Sequence, residues 1–296
     1  MFRIINLIPF EKKDNYYLDR LHDVSILIKT LERPTQLKNL LYSIQILKFN
    51  GPIIIADDSR VPYKEEVLQQ FPDLKITYIS LPFDTGTAEG RNLMLERVNT
   101  KYFVLCDDDF IFEPRTRIPV MQKLLIDNNF DILGGVFRQY NLKSRKAKLK
   151  FTMSKWLLKF NILIPATNIF EYHAGFDLDG KICRMKKIHY KDPFSLCDMT
   201  HNFFMASTEK VKSIGGWNPL LKGGEHQNFF IRAKLKGLKV ATTRQCGVIH
   251  DRWTPPPALF KELRDRSPAY KKLSLVEFGI EHMENYKEVM KEDYFT

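Results

Sequence analysis

A chain of 296 residues can bury a large core, as one big α/β domain or two smaller ones, and its 44% hydrophobic and 27% charged content is that of an ordinary globular protein. Lys and Arg (46) outnumber Asp and Glu (35), a formal net charge of +11 that favours anionic partners: nucleotides, phospholipid surfaces, acidic glycans or nucleic acid. No signal peptide or membrane span is visible, and the four cysteines (Cys106, Cys183, Cys197 and Cys246) lack the Cys-x-x-Cys spacing of a structural zinc site, which fits a reducing compartment.

In chain order, Met1 to Phe10 is a short apolar run broken by Arg3 and Asn6, read as an edge strand or extended arm. Val24 to Thr30 is a buried strand. Pro34 opens a helix with Leu37, Leu40, Leu41, Ile44 and Leu47 on one face, and Gly51-Pro52 ends it. Ile53 to Ala56 is a second strand ending in Asp57-Asp58-Ser59, followed by a short helix from Lys64 to Gln70. Lys75 to Ile79 is a third strand, and Thr87 to Val98 a helix carrying Gly90-Arg91-Asn92. Tyr102 to Cys106 is the fourth strand, running into Asp107-Asp108-Asp109. This alternation predicts parallel pairing with right-handed crossovers, a Rossmann-like half.

Further on, Arg115 to Asn128 reads as a helix and Asp131 to Val136 as a strand. Asn202 to Ala206 looks like a strand, Thr208 to Ile214 a helix, Glu225 to Lys236 a helix and Lys239 to Thr242 a strand. Gly247 to His250 leads to Pro255-Pro256-Pro257, and the tail from Ala258 is mixed-charge and reads as helical. Cys183 and Cys197 are near enough in sequence to bridge.

Three adjacent acids cannot sit unpaired inside a strand, so Asp107-Asp108-Asp109 must lie where the fourth strand leaves the sheet. Parallel connection brings Thr30 and Asp57-Asp58 to the same edge, where open α/β sheets bind ligands. Clustered carboxylates also suit a hard divalent cation. No Gly-x-Gly-x-x-Gly follows the first strand and no Gly-x-x-x-x-Gly-Lys-Ser/Thr occurs, so dinucleotide oxidoreduction and P-loop phosphoryl transfer are poorly supported.

Taken in order, Val24 to Thr30, Ile53 to Ser59, Gly90-Arg91-Asn92, Lys101 to Phe110 and Gly134-Gly135 resemble the inverting GT-A glycosyltransferases of family 2. More narrowly they resemble the β-1,4-N-acetylgalactosaminyltransferase (GM2/GD2 synthase-like) group, over about residues 22 to 250. The resemblance implies a Rossmann-like, mixed, mostly parallel sheet flanked by helices. It implies a GT-A domain over 1–257, with a nucleotide-sugar half at about 22–138, an acceptor half at about 139–257 and a helical tail at 258–296.

It also implies roles. Asp57 matches the acid that contacts the uracil, with Thr30 near the base, Arg91 beside the nucleotide and Asp107 near the ribose; Asp108 adjoins them. Asp109 matches the metal ligand, with His250 as a further ligand. Glu225, in Gly223-Gly224-Glu225-His226, sits at the position of the catalytic base, although the commoner family pattern there is Glu-Asp. Asp198 and Asn202 match residues near the acceptor. The implied cofactor is Mn²⁺ or Mg²⁺. The implied reaction moves a sugar from a UDP-sugar to a glycan, glycolipid or glycoprotein hydroxyl with a β-linkage, N-acetylgalactosamine first among donors, then N-acetylglucosamine or galactose. The chemistry agrees: displacement at an anomeric carbon needs a stabilised diphosphate leaving group and a base for the acceptor proton.

Residues 143–160 interleave Lys143, Arg145, Lys146, Lys148, Lys150, Lys155 and Lys159 with Phe151, Trp156 and Phe160. They suit either a solvated amphipathic helix or a peripheral contact with an anionic membrane. A nucleic-acid surface is the least favoured reading, because no binding motif accompanies the charge. The expected location is cytoplasmic, peripheral to the membrane if that contact forms. Two other functions stay open at this point: a nucleotidyltransferase using the Asp cluster, and a non-catalytic glycan- or nucleic-acid-binding GT-A-like module.

Overall fold

The computed structural model describes residues 23–139, 149, 152–153, 156, 168–170, 173–252, 254–255 and 257–289. The expected arm at Met1 to Phe10 and nearly all of the basic aromatic stretch at 143–160 lie outside the described residues.

The first half follows the expected alternation: β1 (Val24–Thr30), α1 (Pro34–Ile46), β2 (Ile53–Asp57), α2 (Lys64–Gln70), β3 (Ile76–Ser80), α3 (Thr87–Glu96) and β4 (Tyr102–Asp107). β1 pairs in parallel with β2 and with β4, and β2 with β3. Strands covered on both faces read as unbroken apolar runs, and β1 shows the consequence. Val24, Ile26 and Ile28 share a core cluster with Leu37, Leu40, Leu41 and Ile44 of α1. Leu27 instead joins Ala88, Met94 and Leu95 of α3 in a second cluster.

The second half contains β5 (Phe110–Ile111), α4 (Ile118–Asp127), β6 (Ile132–Gln139), β7 (Asn168–Phe170), β8 (Ala174–Asp179), β9 (Ile182–Lys187), β10 (Ser195–Cys197), β11 (Phe204–Ser207), α5 (Thr208–Ser213), α6 (Glu225–Leu235) and β12 (Val240–His250). The main sheet has the order β10-β12-β6-β11-β4-β1-β2-β3. β11 is antiparallel to both β4 and β6, and β12 is parallel to β6, so the sheet is mixed. The two strand segments expected at Lys239 to Thr242 and Gly247 to His250 are one strand, β12, with a register shift between Thr242 and Gly247.

The tail departs from the helical expectation. α7 (Ala258–Asp265) and α8 (Ser267–Val276) are helices, but β13 (His282–Val289) is a strand. It pairs in parallel with β9 in a three-stranded sheet of order β13-β9-β8. A strand edge presents unpaired N–H and C=O groups, and β13 satisfies those of β9. A mixed-charge strand at the rim of a small sheet lacks the apolar alternation that marks a strand in sequence. Cys183 and Cys197 are buried free thiols, as are Cys106 and Cys246. No helix among the described residues is long and apolar enough to cross a membrane.

Candidate functional site

The parallel register aligns the carboxyl ends of the strands: Thr30 lies beside Asp57, and Lys29 beside Asp107. Two later strands reach the same edge for opposite reasons. β11 is antiparallel to β4, so its start lies there, and Asn202 Nδ2 donates to Asp107 Oδ2 at 3.3 Å. β12 ends there, pairing His250 with Phe110 of β5, which sets His250 Nε2 3.3 Å from Asp109 Oδ2. One cleft is thus lined by Thr30, Arg91, Asp107, Asp108, Asp109, Asn202, Glu225 and His250. These are eight of the ten residues singled out in the sequence.

Within the cleft the acids have distinct partners. Asp108 accepts from Thr30 Oγ1 at 2.7 Å and pairs with Arg33 Nη1 at 3.0 Å. Asp109 pairs with Arg33 Nη2 at 2.6 Å as well as approaching His250. Burial pushes the Asp108 carboxyl up to about 7, against the Arg33 charge. Burial also works against ionised Asp109, but the His250 contact and Arg33 outweigh it and hold Asp109 at about 2.

Glu225 is the first residue of α6, where a helix dipole favours negative charge. Gly224 precedes it with φ 71°, and a Cβ there would lie 3.0 Å from the Lys271 backbone nitrogen, so glycine permits both the turn and the close pass of α8. Arg91, buried on α3, donates from Nη1 to Glu225 Oε1 at 2.6 Å and from Nη2 to Asp107 Oδ1 at 3.1 Å. Its guanidinium also lies 5.7 Å from the Trp217 ring centroid.

Two expected site residues are elsewhere. Asp57 is fully buried and its carboxylate is engaged by Ser59, by Tyr63 N at 3.1 Å and by Tyr78 Oη at 2.6 Å. Its neighbour Asp58 lines the cleft instead, paired with Lys29 and accepting from Gly86 N at 2.8 Å. Asp198 accepts from Phe176 N at 2.6 Å and from Lys234 Nζ at 2.9 Å, and it is not among the cleft residues.

Sequence reasoning missed Lys29 and Arg33, which flank Thr30 and supply cations to the acids. Cations just before and after a polar strand end that faces an acid-rich edge were the available signal. It also missed the roof: Phe260, Leu263, Arg264, Arg266 and Tyr270 of α7, α8 and their junction line the cleft. Arg266 fastens that roof to the loop after β3, donating to Asp84 at 2.7 and 3.0 Å, while Lys222 Nζ reaches the same carboxylate at 3.0 Å.

Four buried atoms of cleft residues have no hydrogen-bond partner: Asp109 Oδ1, Asn202 Oδ1, Arg33 Nε and Arg91 Nε. Buried polar groups are normally satisfied, and these four atoms leave hydrogen-bonding capacity in the cleft for a polar ligand. Asp109 Oδ1 and the His250 ring suit a divalent cation. Among the described residues no group of three or more His, Cys, Asp or Glu side chains forms a complete metal cage. Asp109 and His250 would supply two of a cation's ligands, and the rest would have to come from a bound phosphate and water, as they do where one or two carboxylates hold a divalent cation beside a diphosphate.

Residues 25–193 match the family model of glycosyl transferase family 2. The chain belongs to that family. Among its relatives, mouse β-1,4 N-acetylgalactosaminyltransferase 2 is 31% identical over 236 residues, covering 79% of this chain and 40% of the relative. Human β-1,4 N-acetylgalactosaminyltransferase 1 is 30% identical over 231 residues, 77% of this chain and 38% of the relative. The family 2 chain therefore spans about two fifths of these relatives' length. Two solved structures share its fold. S. aureus TarS 1-349 in complex with UDP-GlcNAc aligns with TM-score 0.55 at 14% identity, over 86% of this chain and 71% of that one. The mannosyltransferase PcManGT from Pyrobaculum calidifontis, in complex with GDP-Man and Mn²⁺, aligns with TM-score 0.55 at 12% identity, over 86% and 64%. The fold of this family 2 chain is accordingly GT-A, as the sequence motifs imply.

Proposed function

We propose that this chain is a metal-dependent inverting glycosyltransferase that moves a sugar from a UDP-sugar to a hydroxyl of a glycan or glycoconjugate. The observation that carries the reading is the single cleft in which strand-end acids, Arg91 and Glu225 converge. The relatives named for N-acetylgalactosamine transfer make that sugar the first donor to test, with N-acetylglucosamine and galactose next.

In this reading Asp109 and His250 would hold Mn²⁺ or Mg²⁺. When bound, the cation neutralises charge that develops on the departing diphosphate. Thr30, Asp58 and Asp107 line the nucleotide side of the cleft, and Arg91 orients Asp107 and Glu225 together. Glu225 takes the proton of the acceptor hydroxyl while its oxygen attacks the anomeric carbon; the carbon–oxygen bond to the diphosphate breaks and UDP leaves with the electron pair. A single displacement on an α-linked donor gives a β-linkage. Asn202 stands on the acceptor side, beside Asp107. Asp198 supports that half indirectly, through its contacts with Phe176 and Lys234. A peripheral membrane contact through residues 143–160 would bring the cleft to a lipid-linked acceptor.

A screen of UDP-sugars with Mn²⁺ and a panel of glycan acceptors tests the reading, with proton NMR of the product's anomeric centre. The expected product is β-linked and accompanied by UDP. An α-linked product, or pyrophosphate release from nucleoside triphosphates without UDP release, would overturn it.

A further inference from the structure

Arg33 is the cation in closest contact with the acid cluster, and no motif points to it. Its backbone is pinned: Pro34 follows it at the start of α1 and disfavours helical geometry at Arg33, while Glu32 before it has φ 55° and donates its N–H to Ser59 Oγ at 2.7 Å. Its side chain is buried between the sheet edge and the roof, with its guanidinium carbon 4.6 Å from the ring centroid of Phe260 on α7. One terminal nitrogen takes Asp108 and the other Asp109 Oδ2, which leaves Asp109 Oδ1 buried and unpartnered. Arg33 Nε is likewise without a partner.

A divalent cation on Asp109 therefore shares its carboxylate with a fixed guanidinium. In the free protein the two positive charges repel one another at close range. A diphosphate changes the sign of that coupling, because its negative charge can be met by the cation and by Arg33 at once. From this juxtaposition of Arg33, Asp109 and Phe260 we infer that Arg33 is a built-in counter-ion that makes cation binding depend on the donor diphosphate. Metal affinity is kept low in the empty cleft and released when the nucleotide arrives. Coupling of this kind is reciprocal: the cation strengthens nucleotide binding by the same factor. Phe260 belongs to the roof, so the packing of α7 over the cleft also sets where the Arg33 charge is held. The inference rests on the donor-site reading above.

The test is Mn²⁺ binding by electron paramagnetic resonance, with and without saturating UDP, for the intact chain and for Arg33→Met and Phe260→Leu. In the unaltered protein Mn²⁺ binds weakly alone and more tightly with UDP. Arg33→Met should bind Mn²⁺ alone at least ~10-fold more tightly, the low end of what close charge pairs contribute, and its gain from UDP should shrink. Phe260→Leu leaves the acids untouched and should shift both quantities the same way by less, which guards against a fold defect in Arg33→Met. Unchanged or weaker Mn²⁺ binding in both variants, while the unaltered protein shows the UDP-dependent gain, would overturn the role of Arg33 and leave the donor site standing. If the unaltered protein binds neither Mn²⁺ nor UDP, the donor-site reading fails and this inference with it.

Discussion

Arg91 holds Glu225 at 2.6 Å and Asp107 at 3.1 Å, so the candidate base and a strand-end acid share one buried guanidinium. Removing one partner of a buried pair strands the other charge. Arg91→Met should therefore cost about 3–5 kcal/mol in urea unfolding, more than a surface arginine would. Glu225→Gln keeps a side-chain oxygen that can accept from Arg91. It should lower kcat by ~10²–10⁴ while UDP affinity holds, since only proton removal is lost. A parallel loss of UDP affinity would assign Glu225 to donor binding.

The roof should be separable from the chemistry. Arg266 and Lys222 hold the Asp84 carboxyl below its usual range, with burial opposing them. A depressed carboxylate contributes stability above its unfolded pKa, and the contribution is lost as pH falls through the folded value. The pair is partly exposed, so its share of global stability is small, about 1 kcal/mol or less. Asp84→Asn should thus leave the unfolding midpoint at pH 7 nearly unchanged, yet speed hydrogen exchange in α7 and α8 and weaken UDP binding. Unaltered exchange in both helices would show that Asp84 does not hold the roof.

His226 predicts a second pH effect with its own sign. Burial lowers its pKa to about 4, with Glu225 opposing the shift. Between about pH 6.5 and pH 4 the unfolded chain takes up a proton that the folded chain refuses, so stability falls as pH falls through that window. The loss should reach about 3 kcal/mol by pH 4 and be absent in His226→Phe, whose ring can keep the edge contact with Phe230 at 5.1 Å between centroids. Urea unfolding across that pH range reads it directly. An equal slope in the variant would place the acid sensitivity elsewhere.

The parallel half of the fold was legible because β1, β2 and β4 are largely apolar and each strand from β1 to β4 ends in a polar group at one edge. The same alignment made Thr30, Asp107, Asp108 and Asp109 visible as a site. Asp57 illustrates the limit. Adjacent residues at a strand end point to opposite sides, and pattern alone does not say which of Asp57 and Asp58 faces the cleft; Tyr78 captures Asp57 from the neighbouring strand. The position of Asp198 off the cleft is not visible in sequence, because its partner Lys234 lies 36 residues away on α6. Arg33 and the roof were hidden for a related reason. Their meaning comes from contacts between α7 and the β1–α1 loop, which no local periodicity records.

The most direct test of the account is UDP release from UDP-N-acetylgalactosamine with Mn²⁺, comparing the unaltered chain with Asp109→Ala. Asp109 carries a buried, unpartnered carboxylate oxygen and the contact with His250, so its loss removes the carboxylate on which the proposed cation site depends. The account predicts acceptor-dependent UDP release by the unaltered chain, lowered by at least ~100-fold in the variant. Equal turnover by Asp109→Ala would contradict the assignment of the metal to this cleft.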